Sequence, residues 1–258
     1  MSEAAERRAL LSSLIKEVIM PSFERAGVTL YYEEFGAGHP LLLFAPGGMR
    51  SAIDFWHRSP FDPTLELAAD FRVIAMDQRN AGRSHGPISA ADGWHTYTSD
   101  HLALLDHLGI QRCHIMGGCI GGSYCFSMIK TAPARVSAAV IQNPIGLKDN
   151  RDAFREMFDG WAQELKAQRS GLDDRALASF RENMYGGDFV FTASRDFVAS
   201  CTTPMILLNG SDMYHPAEIS AEIARLNPRI EVIPDWKTPD AAKEAVKQVR
   251  AFLKKHTG

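Results

Sequence analysis

Short apolar runs recur along the chain, and between them apolar residues return every third or fourth position. The runs lie at 27–35 (GVTLYYEEF), 40–46 (PLLLFAP), 71–76 (FRVIAM), 113–116 (CHIM), 136–141 (VSAAVI), 204–208 (PMILL) and 230–233 (IEVI). Most are apolar continuously rather than alternately, the pattern of parallel strands covered on both faces. Helical spacing occupies 98–108, 121–131, 216–226 and 239–255. The last carries Ala242, Ala245, Val246, Val249, Phe252 and Leu253 on one stripe, and it opens with Thr238-Pro239, a capping residue before a first-turn proline. Strands alternating with helices predict an α/β fold: βαβ units, right-handed crossovers, and a mostly parallel twisted sheet with helices on both faces. A further amphipathic helix is expected over 5–18, from Leu10, Leu11, Leu14, Ile15 and Val18.

The alternation breaks over 147–200. Two helical stripes stand there, Phe154, Met157, Phe158, Trp161, Leu165 and then Leu177, Phe180, Met184, with a strand-like stretch only at 189–191 (FVF). The expected organisation is a core formed by 1–146 and 201–258, interrupted by a helical insertion at 147–200. The insertion is either a packed elaboration of the domain or a lid whose aromatic side chains roof a ligand pocket. The two readings are compatible, since a lid also needs a packed face.

Composition narrows the function classes. Hydrophobic residues are 45 % and charged residues 23 % of the 258, the proportions of a soluble globular protein. A net charge of −3, with no basic run, argues against nucleic-acid binding. The four cysteines form no Cys-x-x-Cys pair, so neither a metal site nor a disulfide framework is indicated. The first twenty residues interleave charges with leucines, unlike a secretory signal, and no stretch approaches a membrane span. A reducing, cytoplasmic setting is expected, with no membrane association; oligomeric state is not legible.

In an open α/β sheet, ligands sit outside the carboxyl ends of the strands. After 113–116 comes Gly117-Gly118-Cys119-Ile120-Gly121-Gly122, running straight into a helix. A helix starting at Cys119 places positive partial charge beside the sulfur, which favours thiolate. The bland alternative is a glycine-rich packing contact around an inert cysteine. The segment resembles the strand–turn–helix nucleophile elbow, G-x-S-x-G, of the α/β-hydrolase family, with cysteine in place of serine. Such a turn is too tight for side chains two residues to either side, which Gly117 and Gly121 satisfy.

The resemblance covers nearly the whole chain. It implies a loop donating the second oxyanion N–H at Phe44-Ala45-Pro46-Gly47-Gly48-Met49, where Gly47 or Gly48 would pair with the N–H of Ile120. Asp77-Gln78-Arg79-Asn80-Ala81-Gly82-Arg83-Ser84 is similar to the family's structural D-x-R-G-x-G-x-S turn, with Asn80 for a glycine. Leu207-Leu208-Asn209-Gly210-Ser211-Asp212 matches the acid loop and implies Asp212 as the orienting carboxylate, although aspartate is also a common turn-former.

One departure matters. The family carries its histidine just after the last strand, where this chain reads Ile233-Pro234-Asp235-Trp236-Lys237-Thr238-Pro239. Trp236 holds the position, and His256 lies beyond the final helix. A cysteine can still be acylated, because the thiolate is itself the nucleophile. Hydrolysis of the thioester needs a positioned base, a contribution of roughly 10²–10⁴-fold. Indole cannot serve. His215 is the candidate substitute, with a helix N-cap as its bland reading; His85, His95, His101, His114 and Lys237 are further candidates with blander roles in loops, packing or solvent.

The leading expectation is therefore a Cys119-dependent enzyme that hydrolyses or transfers the acyl group of a small ester, thioester or lactone. The alternatives are a non-hydrolytic lyase or isomerase, or a ligand-binding protein on a retired hydrolase frame. Phe158, Trp161, Trp236 and Lys237 are expected around the pocket, and Trp56 with the insertion's aromatics suggests an apolar or aromatic acyl group. No cofactor or metal is indicated.

Overall fold

The computed structural model describes residues 21–257. The helix expected over 5–18 lies outside the described residues. The elements run β1 Ser22–Arg25, β2 Val28–Phe35, β3 His39–Phe44, α1 Pro63–Glu66, β4 Phe71–Met76, α2 Trp94–His107, β5 Cys113–Gly118, α3 Ile120–Thr131 and β6 Val136–Gln142. After them come α4 Arg151–Gln168, α5 Asp174–Tyr185, α6 Arg195–Ser200, β7 Met205–Leu208, α7 Ala217–Leu226, β8 Glu231–Ile233 and α8 Pro239–Lys255, with short 3₁₀ turns between some of them. The strands form one 8-stranded sheet in the order β1-β2-β4-β3-β5-β6-β7-β8. β1 and β2 are antiparallel to each other, and β2 is antiparallel to β4; the remaining neighbours are parallel.

Each face of the sheet carries its own apolar layer. One joins Leu42, Phe44, Ile115 and Ile141 to residues of α2, α3 and the 147–200 segment. The other joins Leu41, Leu43, Met116 and Val140 to Trp56 and to Ala245, Val246, Val249, Phe252 and Leu253 of α8. Burial of each large side chain in that stripe contributes about 1.5–3 kcal/mol, far more than helix propensity could. Thr238 caps α8 by accepting a bond from Ala241 N at 3.3 Å. Among the described residues no helix is long and apolar enough to cross a membrane.

One strand lies outside the expected set, and two expectations need correction. β1 (SFER) carries only Phe23 as an apolar residue, too weak a run to signal a strand. It pairs with β2 through a turn at Ala26-Gly27, where both residues have positive φ (49° and 78°). The 189–191 stretch is not extended: Phe189 and Phe191 have φ of 53° and 67°, and they are apolar because they are buried. α2 begins at Trp94, ahead of the expected start, so His95 and His101 lie within the helix.

The segment between β6 and β7 is helical, comprising α4, α5 and α6. Phe158 of α4 meets Phe180 of α5 at 5.2 Å between ring centres. The segment is tied to α3 through Ser123, whose hydroxyl donates to Val190 O (2.9 Å) and whose carbonyl accepts from Thr192 Oγ1 (2.9 Å). Trp94 Nε1 donates to Met184 O at 2.7 Å, linking α2 to the end of α5.

Candidate functional site

Cys119 sits between the last residue of β5 and the first of α3, with φ 58° and ψ −118°. That conformation costs a non-glycine residue on the order of 1–3 kcal/mol and persists only where the surroundings over-determine it. Here they do: Cys119 N donates to Gln142 O (3.0 Å) and Gly122 N donates to Cys119 O (3.0 Å). A Cβ on Gly117 would lie 2.0 Å from Gly121 O, and one on Gly121 would lie 2.2 Å from Phe44 O. Gly117→Ala is therefore expected to destabilise the protein by about 3 kcal/mol, the upper end for overpacking. A thermal melt checks this; an unchanged melting temperature would contradict so tight a turn.

Cys119 is partly exposed, whereas Cys113, Cys125 and Cys201 are buried. The backbone N–H groups of Gly47 and Ile120 approach its sulfur closely enough to lower the thiol's pKa. Of the two glycines expected to contribute, Gly47 is the one whose N–H approaches the sulfur. Gly48 instead opens a short 3₁₀ turn and lies under Met157 of α4, whose Sδ is 2.5 Å from where a Gly48 Cβ would stand.

Asp212 and His215 form a closed turn at the carboxyl end of β7. Asp212 N and His215 N each donate to the other's carbonyl, and Asp212 Oδ1 accepts from Tyr214 N and His215 N, both at 3.1 Å. His215 Nδ1 donates to the same carboxylate oxygen at 2.6 Å. His215 is not the cap of α7, because Pro216 occupies that position without a side-chain bond. The ring is folded back instead, leaving Nε2 buried with no nitrogen or oxygen partner. Nε2 faces Cys119; the contact falls outside strict hydrogen-bond geometry yet is close enough to couple the two groups.

The electrostatics follow from that contact. Burial alone would push the Cys119 thiol up, but the charge and hydrogen bonding of His215, with the Gly47 and Ile120 N–H groups, bring it below the usual thiol range. Burial alone would push His215 down, but Cys119 and then Asp212 hold its pKa above the usual histidine value. Asp212 is likewise lowered, His215 and the turn's N–H groups outweighing its burial. Carboxylate, imidazole and thiol thus stand in a row, and each shift favours the charged form of its own group.

The other candidate bases are elsewhere. His85 and His95 are exposed. His101 is fully buried against Phe44 and hydrogen-bonded to Gln78, and burial pushes it down to about 3. His114 is buried beside Thr257, also down to about 3 through burial. His256 packs on Phe252 at the end of α8.

Trp236 is buried in the α8-side layer and donates its indole N–H to Asn209 O at 2.8 Å. Lys237 lies over its ring, bonds Ser211 Oγ at 2.7 Å and stands 3.8 Å from Asp212 Oδ2. Both line a cleft of about 370 Å³ with Asn209, Ser211 and Asp235, which Cys119 does not border. Phe158 packs inside the insertion against Trp161 and Phe180. Trp161 donates to Asn80 O and borders a groove of about 330 Å³ with Arg50, Phe55 and Arg169, again apart from Cys119. Tyr124 and Tyr185 lie near enough to Cys119 to feel its charge, and Tyr214 lies 6.4 Å from the His215 ring with Phe154 5.6 Å from Tyr214. Tyr124 was findable, one and a half turns along α3 from Cys119; nothing in the sequence marks Tyr185. The Asp77 turn is structural: its buried carboxylate accepts from Ile53 N and Arg83 N, both at 2.8 Å. Among the described residues no group of three or more His, Cys, Asp or Glu side chains could hold a metal ion.

Similarity to known proteins agrees with this architecture. A protein named a candidate carbamate hydrolase, RutD, from Azorhizobium caulinodans is 36 % identical over 128 residues, 48 % of this chain and 44 % of that protein. The chain thus spans less than half the length of this relative. The meta-cleavage product hydrolase CumD of Pseudomonas fluorescens IP01 superposes with a TM-score of 0.66 at 19 % identity, over 91 % of this chain and 97 % of that one. The enol-lactonase of Burkholderia xenovorans LB400 gives 0.64 at 18 % identity, over 91 % and 100 %. At those identities the two structures establish the fold alone. The family model for the alpha/beta hydrolase fold matches residues 40–235, most of the chain, and the protein belongs to that family.

Proposed function

We propose that the protein hydrolyses, or transfers, the acyl group of a small ester, thioester or lactone through Cys119. One observation carries the reading: His215, held by Asp212, faces the Cys119 sulfur from the acid loop. The base absent from the loop after β8 is thereby supplied three residues beyond the acid. The lyase and binding readings draw on a vacant base position, which His215 in this role would fill; the binding reading draws also on the aromatic side chains of the insertion. Relatives named for carbamate hydrolysis and an enol-lactonase neighbour belong to the same reaction type.

The steps balance as follows. The Cys119 thiolate attacks the substrate carbonyl carbon, and the oxygen that gains charge is met by the N–H groups of Gly47 and Ile120. The His215 imidazolium gives its proton to the leaving oxygen or sulfur as that bond breaks, leaving a thioester on Cys119. Neutral His215 then takes a proton from water, whose oxygen attacks the thioester; collapse expels the thiolate and releases the acid. Asp212 orients the ring and stabilises its charged form. A partly exposed thiolate suits a reducing compartment. The insertion acts as a lid through Met157, and its aromatic lining favours an apolar or aromatic acyl group.

The pH dependence of Cys119 alkylation tests the pairing. A depressed thiol pKa means that thiolate persists as pH falls below the ordinary thiol range, near ~8.5, and is lost only on passing the lowered value. Iodoacetamide labelling of Cys119 should therefore persist to lower pH than labelling of an ordinary thiol does. The buried thiols of Cys113, raised to about 12, and Cys125, also raised, will not compete. A profile that tracks a free thiol would refute the pair.

A further inference from the structure

We infer that Tyr124 and Tyr185 form a second binding element beside Cys119, donating hydrogen bonds to a neutral oxygen, a ketone or an ether, on an aromatic or similarly planar ligand. The inference rests on the proposed role of Cys119 only in calling that ligand the acyl portion of a substrate.

Both tyrosines are wholly buried, and both hydroxyls lack a hydrogen-bond partner. A phenylalanine at either position would fill the same space without stranding a polar atom, so packing alone does not account for the hydroxyls. They stand on different helices. Tyr124 rises from α3 on the core side. Tyr185 closes α5 on the insertion and stacks on Phe154 at 5.5 Å. Phe154 meets Tyr214 at 5.6 Å, and Tyr214 lies 6.4 Å from the His215 ring. Trp94 spans the pair, 5.4 Å from Tyr124 and 6.2 Å from Tyr185. The two unspent donors thus belong to a contiguous set of aromatic side chains that reaches His215.

The chemistry of the ligand follows from the charges. Burial first, then neighbouring tyrosines and the Cys119 thiolate, push both phenols well above their ordinary value, so they stay protonated and donate. The same thiolate field opposes a second anion. Two cationic side chains come near these rings: Arg79, beside Tyr97, is held by Asp100 in two bonds of 2.8 and 2.6 Å, and Arg151 bonds the carbonyl oxygens of Tyr185 and Gly187. A carboxylate would stand in the field of the thiolate, whereas a carbonyl or ether oxygen needs only the two O–H groups.

The test uses the full-length Cys119→Ala protein, titrated by ligand-observed NMR with acetophenone and with ethylbenzene, which share a shape and differ in the oxygen. Acetophenone is expected to bind about 10-fold more tightly, the worth of one to two net hydrogen bonds. Adding Tyr124→Phe and Tyr185→Phe should make the two ligands equivalent while the melting temperature stays equal or rises. Equal affinity in the parent, no binding of either ligand, or a preference that survives the double substitution would each overturn the proposal. So would a clear fall in melting temperature, since it would mean that the hydroxyls already have protein partners. Incubating the wild-type protein with p-nitrophenyl acetate separates the two readings, because a missing adduct on Cys119 counts against acylation and not against this ligand preference.

Discussion

His215→Ala protein is expected to release about one equivalent of p-nitrophenol from a p-nitrophenyl ester and then stop. Acylation slows in this variant, because the His215 charge that does most to lower the thiol is gone, but the Gly47 and Ile120 N–H groups still favour thiolate and α3 still begins beside it. An activated leaving group needs no proton from the ring. Water has no such help, and loss of a positioned base costs roughly 10²–10⁴-fold in the second step. Stopped-flow release would show a burst with almost no steady phase, and intact mass would show a lasting adduct. Turnover within a few-fold of wild type would place the base elsewhere, with Lys237, 3.8 Å from Asp212, as the next residue to substitute.

Cys119→Ala should abolish burst, adduct and turnover together. Removal of a nucleophile that acts as a unit with its base has cost on the order of 10⁶-fold in a comparable hydrolase triad, so the residual rate should sit near the uncatalysed background. The variant is expected to fold, because alanine occupies the strained turn no worse than cysteine and the bonds to Gln142 O and Gly122 N come from the backbone. A melting curve with a cooperative transition establishes that. Residual turnover above background in this protein, with the same pH dependence as wild type, would remove Cys119 from the mechanism.

How much of this was legible depended on whether the physics was local. The parallel strands announced themselves because both faces are buried, which forces unbroken apolar runs such as FRVIAM at β4. The turn at Cys119 was legible because its tightness forces glycine at 117 and 121, and the structure puts backbone oxygens where their side chains would go. β1 escaped because an edge strand with one apolar residue carries no signal. Residues 189–191 misled because burial, not extension, keeps them aromatic. His215 was the instructive ambiguity. Its place before Pro216 fits a helix cap as well as a ring turned inward, and only the closed Asp212–His215 turn decides between them. Tyr185 depends on how the insertion folds back over α3, a tertiary fact with no periodicity to betray it. The pocket residues expected at Phe158, Trp161, Trp236 and Lys237 shared that limit, since apolar spacing says that a side chain is buried but not against what.

The most direct measurement is intact mass and p-nitrophenol release recorded together on the wild-type protein, with the adduct mapped by peptide. The account predicts a burst, a transient acyl group on Cys119, and continuing release that disappears in Cys119→Ala. A permanent adduct without continuing release, or release that Cys119→Ala retains, would contradict it.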